Sequence, residues 1–110
     1  MENLEAKHCV ACEGGVRPLP VAEAKRLLAC VSGWEINPEG TRISRRFTFK
    51  NFCLTMGFVN AIAWIAHREK HHPDMEVGYD YCVVRYSTHA IGGLSENDFI
   101  CAAKVNGLSD

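Results

Sequence analysis

The sequence predicts an α+β domain: a four-stranded antiparallel sheet with three helices on one face, in the order α-β-β-α-β-β-α. Three observations lead there. Apolar residues recur at helical spacing in three well-separated segments. Paired short runs with period-two alternation lie between them. Turn-forming residues, Pro38-Glu39-Gly40 in one pair and Gly78-Tyr79 in the other, allow antiparallel pairing without a crossover. Each wide apolar helical stripe must be buried once, and one face of a sheet is the surface available for it. The 110 residues make one domain.

Residues 1–17 read as an irregular polar arm carrying Cys9-x-x-Cys12, and residues 18–110 as the domain. Pro18 and Pro20 frame a first helix over 21–31, since proline is tolerated where its missing N–H has no intrahelical partner. Val21, Ala24, Leu27, Leu28 and Val31 form its stripe, and Ser32-Gly33 ends it. Trp34-Glu35-Ile36 is a short strand. Residues 42–49 form the next, with Ile43, Phe47 and Phe49 toward the core and Arg45 breaking the alternation.

Asn51 is placed to cap a long helix over 52–71. Phe52, Met56, Val59, Ala63 and Ala66 line one side of it, and Phe58, Ile62 and Ile65 a neighbouring side. Pro73 stops this helix and pushes His72 toward an extended conformation, so His71 is expected to finish the helix and His72 to leave it. Residues 75–77 and 80–88 form the second strand pair. Gly92-Gly93 makes a loop, and Ser95-x-x-Asp98 opens a last helix over 96–105 in the manner of a capping box. That helix buries Phe99, Ile100, Ala103 and Val105.

Composition excludes several classes of function. A net charge of −1 with dispersed Lys and Arg gives no basic stripe, so no direct contact with nucleic acid is expected. No run of about 18 apolar residues exists to span a membrane. MENLEAKHC lacks the apolar core of a signal peptide, which points to a cytoplasmic protein. Of the six cysteines, Cys30, Cys53, Cys82 and Cys101 read as small buried hydrophobes. Cys9 and Cys12 could be half of a zinc site, but no second pair is present. A redox role would want a thioredoxin-like βαβ context that this order lacks.

Chemistry concentrates between residues 70 and 98. His71-His72-Pro73 ends a helix, and Thr88-His89 lies where a strand meets a loop. Imidazole suits acid–base work because its pKa of about 6.5 lies near neutral pH. Cationic rings at a helix C-terminus could instead merely complement the helix dipole. A metal site is a third reading, because His67 and His71 stand four residues apart. In HREKH, however, Glu69 does not occupy the position a zinc hydrolase gives its general base, and Lys70 would oppose a dication.

The HHP triplet, the strand carrying Val83 and Val84, and THAIGGLSEND resemble the pterin-4a-carbinolamine dehydratases in order and spacing. Trp34 and the RRFTFKNF segment extend that resemblance across most of the chain from Pro18 onward. It implies the same fold and conversion of 4a-hydroxytetrahydropterin to quinonoid dihydropterin and water, in tetrahydrobiopterin recycling. It implies His71, His72 and His89 as catalytic residues, with Pro73, Ser87, Thr88 and Asp98 beside the substrate. Asp98 would either orient His89 or cap the helix. No cofactor and no metal are implied, because the pterin nitrogens expel the hydroxide themselves. A homodimer or homotetramer and functional coupling to an aromatic amino-acid hydroxylase are implied as well. The alternative is a protein-interaction module acting as a transcription-factor dimerisation cofactor. Several family members carry an acidic residue directly before the histidine pair and another near position 67. Here Lys70 and His67 stand there, so carboxylate tuning of the histidines would fall to Glu69.

Overall fold

A computed structural model describes residues 3–11 and 17–108; Cys12, and with it the C-x-x-C reading, lies outside the described residues. The elements are α1 (Val21–Leu28), β1 (Glu35–Ile36), β2 (Ile43–Thr48), α2 (Phe52–Glu69), β3 (Asp74–Val77), β4 (Tyr81–Tyr86) and α3 (Glu96–Leu108). Short 3₁₀ turns occur at Leu4–Ala6, inside the arm expected to be irregular, and at His89–Ile91. The expected α-β-β-α-β-β-α order holds. All pairings are antiparallel, and the strands run β1-β2-β4-β3 across the sheet.

One face of the sheet is dry. Ile43 and Phe47 of β2 and Cys82, Val84 and Tyr86 of β4 are buried there, while Arg46 and Thr48 on the other side of β2 are exposed. Phe58 of α2 meets Phe47 and Phe49 at ring-centroid separations of 4.6 and 5.0 Å. Trp34 closes the other end of the layer against Phe47 and Tyr86. Burying a side chain of this size is worth roughly 1.5–3 kcal/mol.

Arg45 breaks the alternation without breaking the register. Its guanidinium reaches past the apolar layer to Ser32 O (2.9 Å) and Asn106 Oδ1 (2.7 Å), and lies over the Phe47 ring. A long side chain can thus line a core with its stem and satisfy its charge at the rim. Gly33, at φ +85°, leaves room for it: a Cβ there would stand 2.7 Å from the guanidinium nitrogen.

Several boundaries differ from expectation. α1 ends at Leu28 rather than residue 31, although Val31 is still buried, and Val21 is exposed rather than part of the stripe. α2 buries Thr55, Phe58, Ile62 and Glu69 and leaves Phe52 and Ala63 exposed. Its contact face is therefore centred on the Phe58–Ile62 line. α3 runs on to Leu108. Cys82 and Cys101 are buried and Cys30 is half-buried, but Cys53 is exposed in the first turn of α2, against expectation.

The register also brings the two histidine clusters together. Asp74 pairs with Arg85 at the start of β3. Carried two residues back, the same antiparallel register sets His72 level with Ser87. The end of α2 and the end of β4 therefore meet at one end of the sheet.

Candidate active site

α2 does not run on to His71. Lys70 takes a left-handed conformation (φ 54°, ψ 39°), and the His71 N–H reaches back to Ala66 O at 3.2 Å. This six-to-one bond belongs to a Schellman-type helix end. Both His71 and His72 consequently lie beyond the helix. The left-handed residue turns His71 inward, and His72, for which Pro73 disfavours helical geometry, is exposed.

His71 is held on two sides. Its Nε2 lies 2.6 Å from Asp98 Oδ1, with the two side chains 13% and 0% exposed. Its ring stacks on Tyr86, with centroids 5.9 Å apart and planes at 11°. With Nε2 donating to the carboxylate, Nδ1 is left without a hydrogen-bond partner among the described residues. Asp98 Oδ2 accepts from the Thr88 hydroxyl (2.9 Å) and the Ser95 N–H (3.0 Å). Because the Thr88 proton is used there, the Ser95 hydroxyl donates to Thr88 Oγ1 across 2.7 Å. Asp98 therefore caps α3 and anchors His71. It does not orient His89.

His89 opens the 3₁₀ turn that follows β4. The turn is closed by Gly92 at φ 66° and by the Thr88–Gly93 bridge, in which Thr88 N–H donates to Gly93 O at 2.8 Å. This backbone ring fixes the turn and leaves the imidazole exposed. Its centroid stands 6.4 Å from that of His72, with planes at 26°.

His71, His72 and His89 line one cleft of about 350 Å³, together with Ser87 and Thr88. That lies within the range of small-molecule sites, about 300–1,000 Å³. Pro73 and Asp98, expected beside the substrate, are not on its wall: Pro73 shapes the turn, and Asp98 is buried behind His71. His67 is not in the cleft either. It lies on the exposed side of α2, stacked on Trp64 at 5.5 Å. Since His71 has left the helix, His67 and His71 do not form the i, i+4 pair that the metal reading needs. Among the described residues, no three His, Cys, Asp or Glu side chains are grouped to hold a metal ion.

Glu69 does not tune the three cleft histidines through direct contact. Its carboxylate accepts the Cys9 N–H at 2.8 Å, pairs with His8 Nδ1 at 3.1 Å, and lies 3.9 Å from Lys104 Nζ. Burial by itself would raise its pKa, but these neighbours outweigh burial and hold it below the ordinary carboxylate value of 4.5. Sequence reasoning missed this contact, and also the cleft wall made by Cys9, Val10 and Ala11. No local pattern signals either, because the partners lie some 60–90 positions away in the chain.

The model of the family described as pterin 4 alpha carbinolamine dehydratase matches residues 17–108. The chain belongs to this family. A Nitrosomonas europaea protein named provisionally as a pterin-4-alpha-carbinolamine dehydratase is 61% identical over 107 residues, covering 96% of this chain and 93% of its own. A Xanthomonas oryzae pv. oryzae protein with the same provisional name is 55% identical, covering 97% of this chain and 91% of its own. Among solved structures, a transcriptional coactivator/pterin dehydratase from Brucella melitensis superposes with a TM-score of 0.81 at 30% identity, over 86% of this chain and all of that one. A pterin dehydratase-like protein identified as a RuBisCO assembly factor in the alpha-carboxysome shares the fold, with a TM-score of 0.61 at 22% identity over 70% of this chain and 89% of its own. All three cleft histidines fall within the segment that matches the dehydratase family, whereas residues 3–11 of the arm lie outside it. No helix among the described residues is long and apolar enough to cross a membrane.

Proposed function

We propose that this protein dehydrates 4a-hydroxytetrahydropterin to quinonoid dihydropterin, in tetrahydrobiopterin recycling, with His71, His72 and His89 as its acid–base set. The observation that carries this reading is the convergence of three imidazoles, from two element ends, on one cleft of suitable size. The reaction needs a proton delivered to the 4a-hydroxyl oxygen as the C4a–O bond breaks and water leaves. The N5 lone pair drives that departure, and a base then takes the N5 proton. Exposed imidazoles on His72 and His89 can exchange protons with substrate and solvent. His71 offers Nδ1 from a ring that Asp98 holds in place. Ser87 and Thr88 flank the substrate, Asp98 acts through His71, and Pro73 sets the turn. The chemistry requires no cofactor and no metal, so dialysis against a chelator should leave the rate unchanged.

The same reading implies a cytoplasmic homo-oligomer, a dimer or tetramer, working beside an aromatic amino-acid hydroxylase. The edge position of β3, unpaired on its outer side among the described residues, and the exposed Leu54 and Trp64 of α2 support association. The deciding experiment is a coupled assay with phenylalanine hydroxylase, following decay of the carbinolamine with and without this protein. Accelerated decay supports the dehydratase. A folded protein that gives no acceleration would overturn it in favour of an interaction module, a reading that the double name of the Brucella protein supports.

A further inference from the structure

The histidines line one side of the cleft. Part of the remaining wall comes from residues that precede the segment matching the family: Cys9, Val10 and Ala11. Two buried side chains hold them there. Asn97, 5% exposed, pairs with both polar groups of the Val10 backbone: its Oδ1 accepts the N–H at 3.0 Å, and its Nδ2 donates to the carbonyl at 2.5 Å. Glu69, 9% exposed, accepts the Cys9 N–H. Burying a carboxylate and an amide is costly unless their hydrogen bonds are made, and here both are used to attach one short stretch of backbone.

Both anchors adjoin the histidine site. Glu69 stands two residues before His71, and Asn97 directly before Asp98. The element ends that aim the histidines therefore also fix the arm, and the wall is in register with the acid–base groups. Further back the arm is pinned by Leu4, buried in the core cluster, and by Lys104 Nζ donating to Glu5 O at 2.7 Å. Val10 offers the cleft an apolar side chain that is 73% exposed. Such a surface suits the face of a planar heterocycle and contributes nothing to proton transfer.

We infer that Glu69 and Asn97 are positioning residues that hold residues 9–11 as a wall of the pterin pocket, and that this wall sets affinity for the pterin without taking part in the chemistry. The inference rests on the dehydratase reading above for the identity of the ligand. It is tested with full-length protein by measuring kcat and KM for the carbinolamine, together with the Kd for 7,8-dihydrobiopterin by calorimetry. Ala11→Trp adds bulk at an exposed position and should leave thermal stability unchanged, whereas Asn97→Ala releases Val10. Each should raise KM and Kd about tenfold, a change of ~1.4 kcal/mol, with kcat within about twofold of wild type. Glu69→Ala should behave likewise, while Glu69→Gln, which can still accept the Cys9 N–H, should restore most of the affinity.

Unchanged KM and Kd in both Ala11→Trp and Asn97→Ala would overturn the inference. So would a fall in kcat with KM unaltered, since the arm would then act through the histidines or the fold. The two readings fail separately. Wild-type protein without turnover sinks the dehydratase, yet its Kd for dihydrobiopterin still reads the wall; wild-type protein that binds no pterin sinks both.

Discussion

The two chain segments that carry the histidines are built in opposite ways. At the end of α2, side chains do the holding: His71 is clamped by a buried carboxylate on one side and the Tyr86 ring on the other. In the connection from β4 to α3, the backbone does it, through the Thr88–Gly93 bridge and the left-handed Gly92, and His89 projects freely from the tip. His72 shares its segment with His71 but resembles His89 in its exposure. One anchored ring thus stands beside two open ones: the first is fixed in orientation, and the others reach solvent.

The sharpest way to break this comparison is to remove the open rings. His72→Ala and His89→Ala should each lower kcat by about 10²–10⁴-fold, the usual contribution of general acid–base groups. Both should leave the melting temperature nearly unchanged, because neither ring is buried. The double variant should cost less than the product of the singles, since groups acting as a unit are not additive. Single-turnover kinetics on folded protein checks this, and full activity in both singles would remove the acid–base assignment.

Asp98→Ala should produce the reverse signature, a loss seen first in stability. It orphans the Ser95 N–H, whose bond to the carboxylate is the cap of α3, and the Thr88 hydroxyl, each costing roughly 1–3 kcal/mol. Denaturant unfolding should register a loss of about 3 kcal/mol or more. Thr88→Val should show a fraction of it. A small effect would mean that solvent replaces the cluster, and that His71 is not held as the geometry indicates.

Glu69 tests whether the arm adds a third kind of support. Its folded pKa is lowered, so folding favours the ionised form. That contribution is complete above the ordinary value of 4.5 and is lost as the pH falls through the lowered folded value. The stability difference between wild type and Glu69→Gln should therefore shrink as the pH falls below about 4.5. A difference that stays level down to pH 3 would show that the arm's attachment does not depend on the carboxylate charge.

The smallest effect is expected at Tyr86. Its hydroxyl is buried beside the Cys101 thiol with no oxygen or nitrogen partner among the described residues, and burial pushes the phenol pKa well up. The ring, not the hydroxyl, supports His71. Tyr86→Phe should change stability by less than about 1 kcal/mol and leave kcat alone. A large loss of activity would mean that the hydroxyl, rather than the stack, positions the histidine.

Much of this architecture is local and was legible in the order of residues. Helical and alternating periodicities mark elements because side-chain direction repeats along each backbone type. Asn51 caps α2 as expected, its side chain accepting the Leu54 N–H at 2.9 Å, and Ser95 and Asp98 begin α3 with a bond between them. The three histidines singled out by the HHP and THAIGG motifs line one cleft.

Tertiary structure alone decided the partners. Lys70 adopts a left-handed turn that glycine or asparagine would have announced, and it aims His71 at a carboxylate 27 positions away. Asp98 thereby serves His71 rather than His89, and Glu69 serves the arm rather than the histidines. A hydrogen bond within a helix or turn is set by sequence spacing. One between elements is set by strand register and helix placement, here by Asp74 standing opposite Arg85 and by α2 and α3 packing side by side.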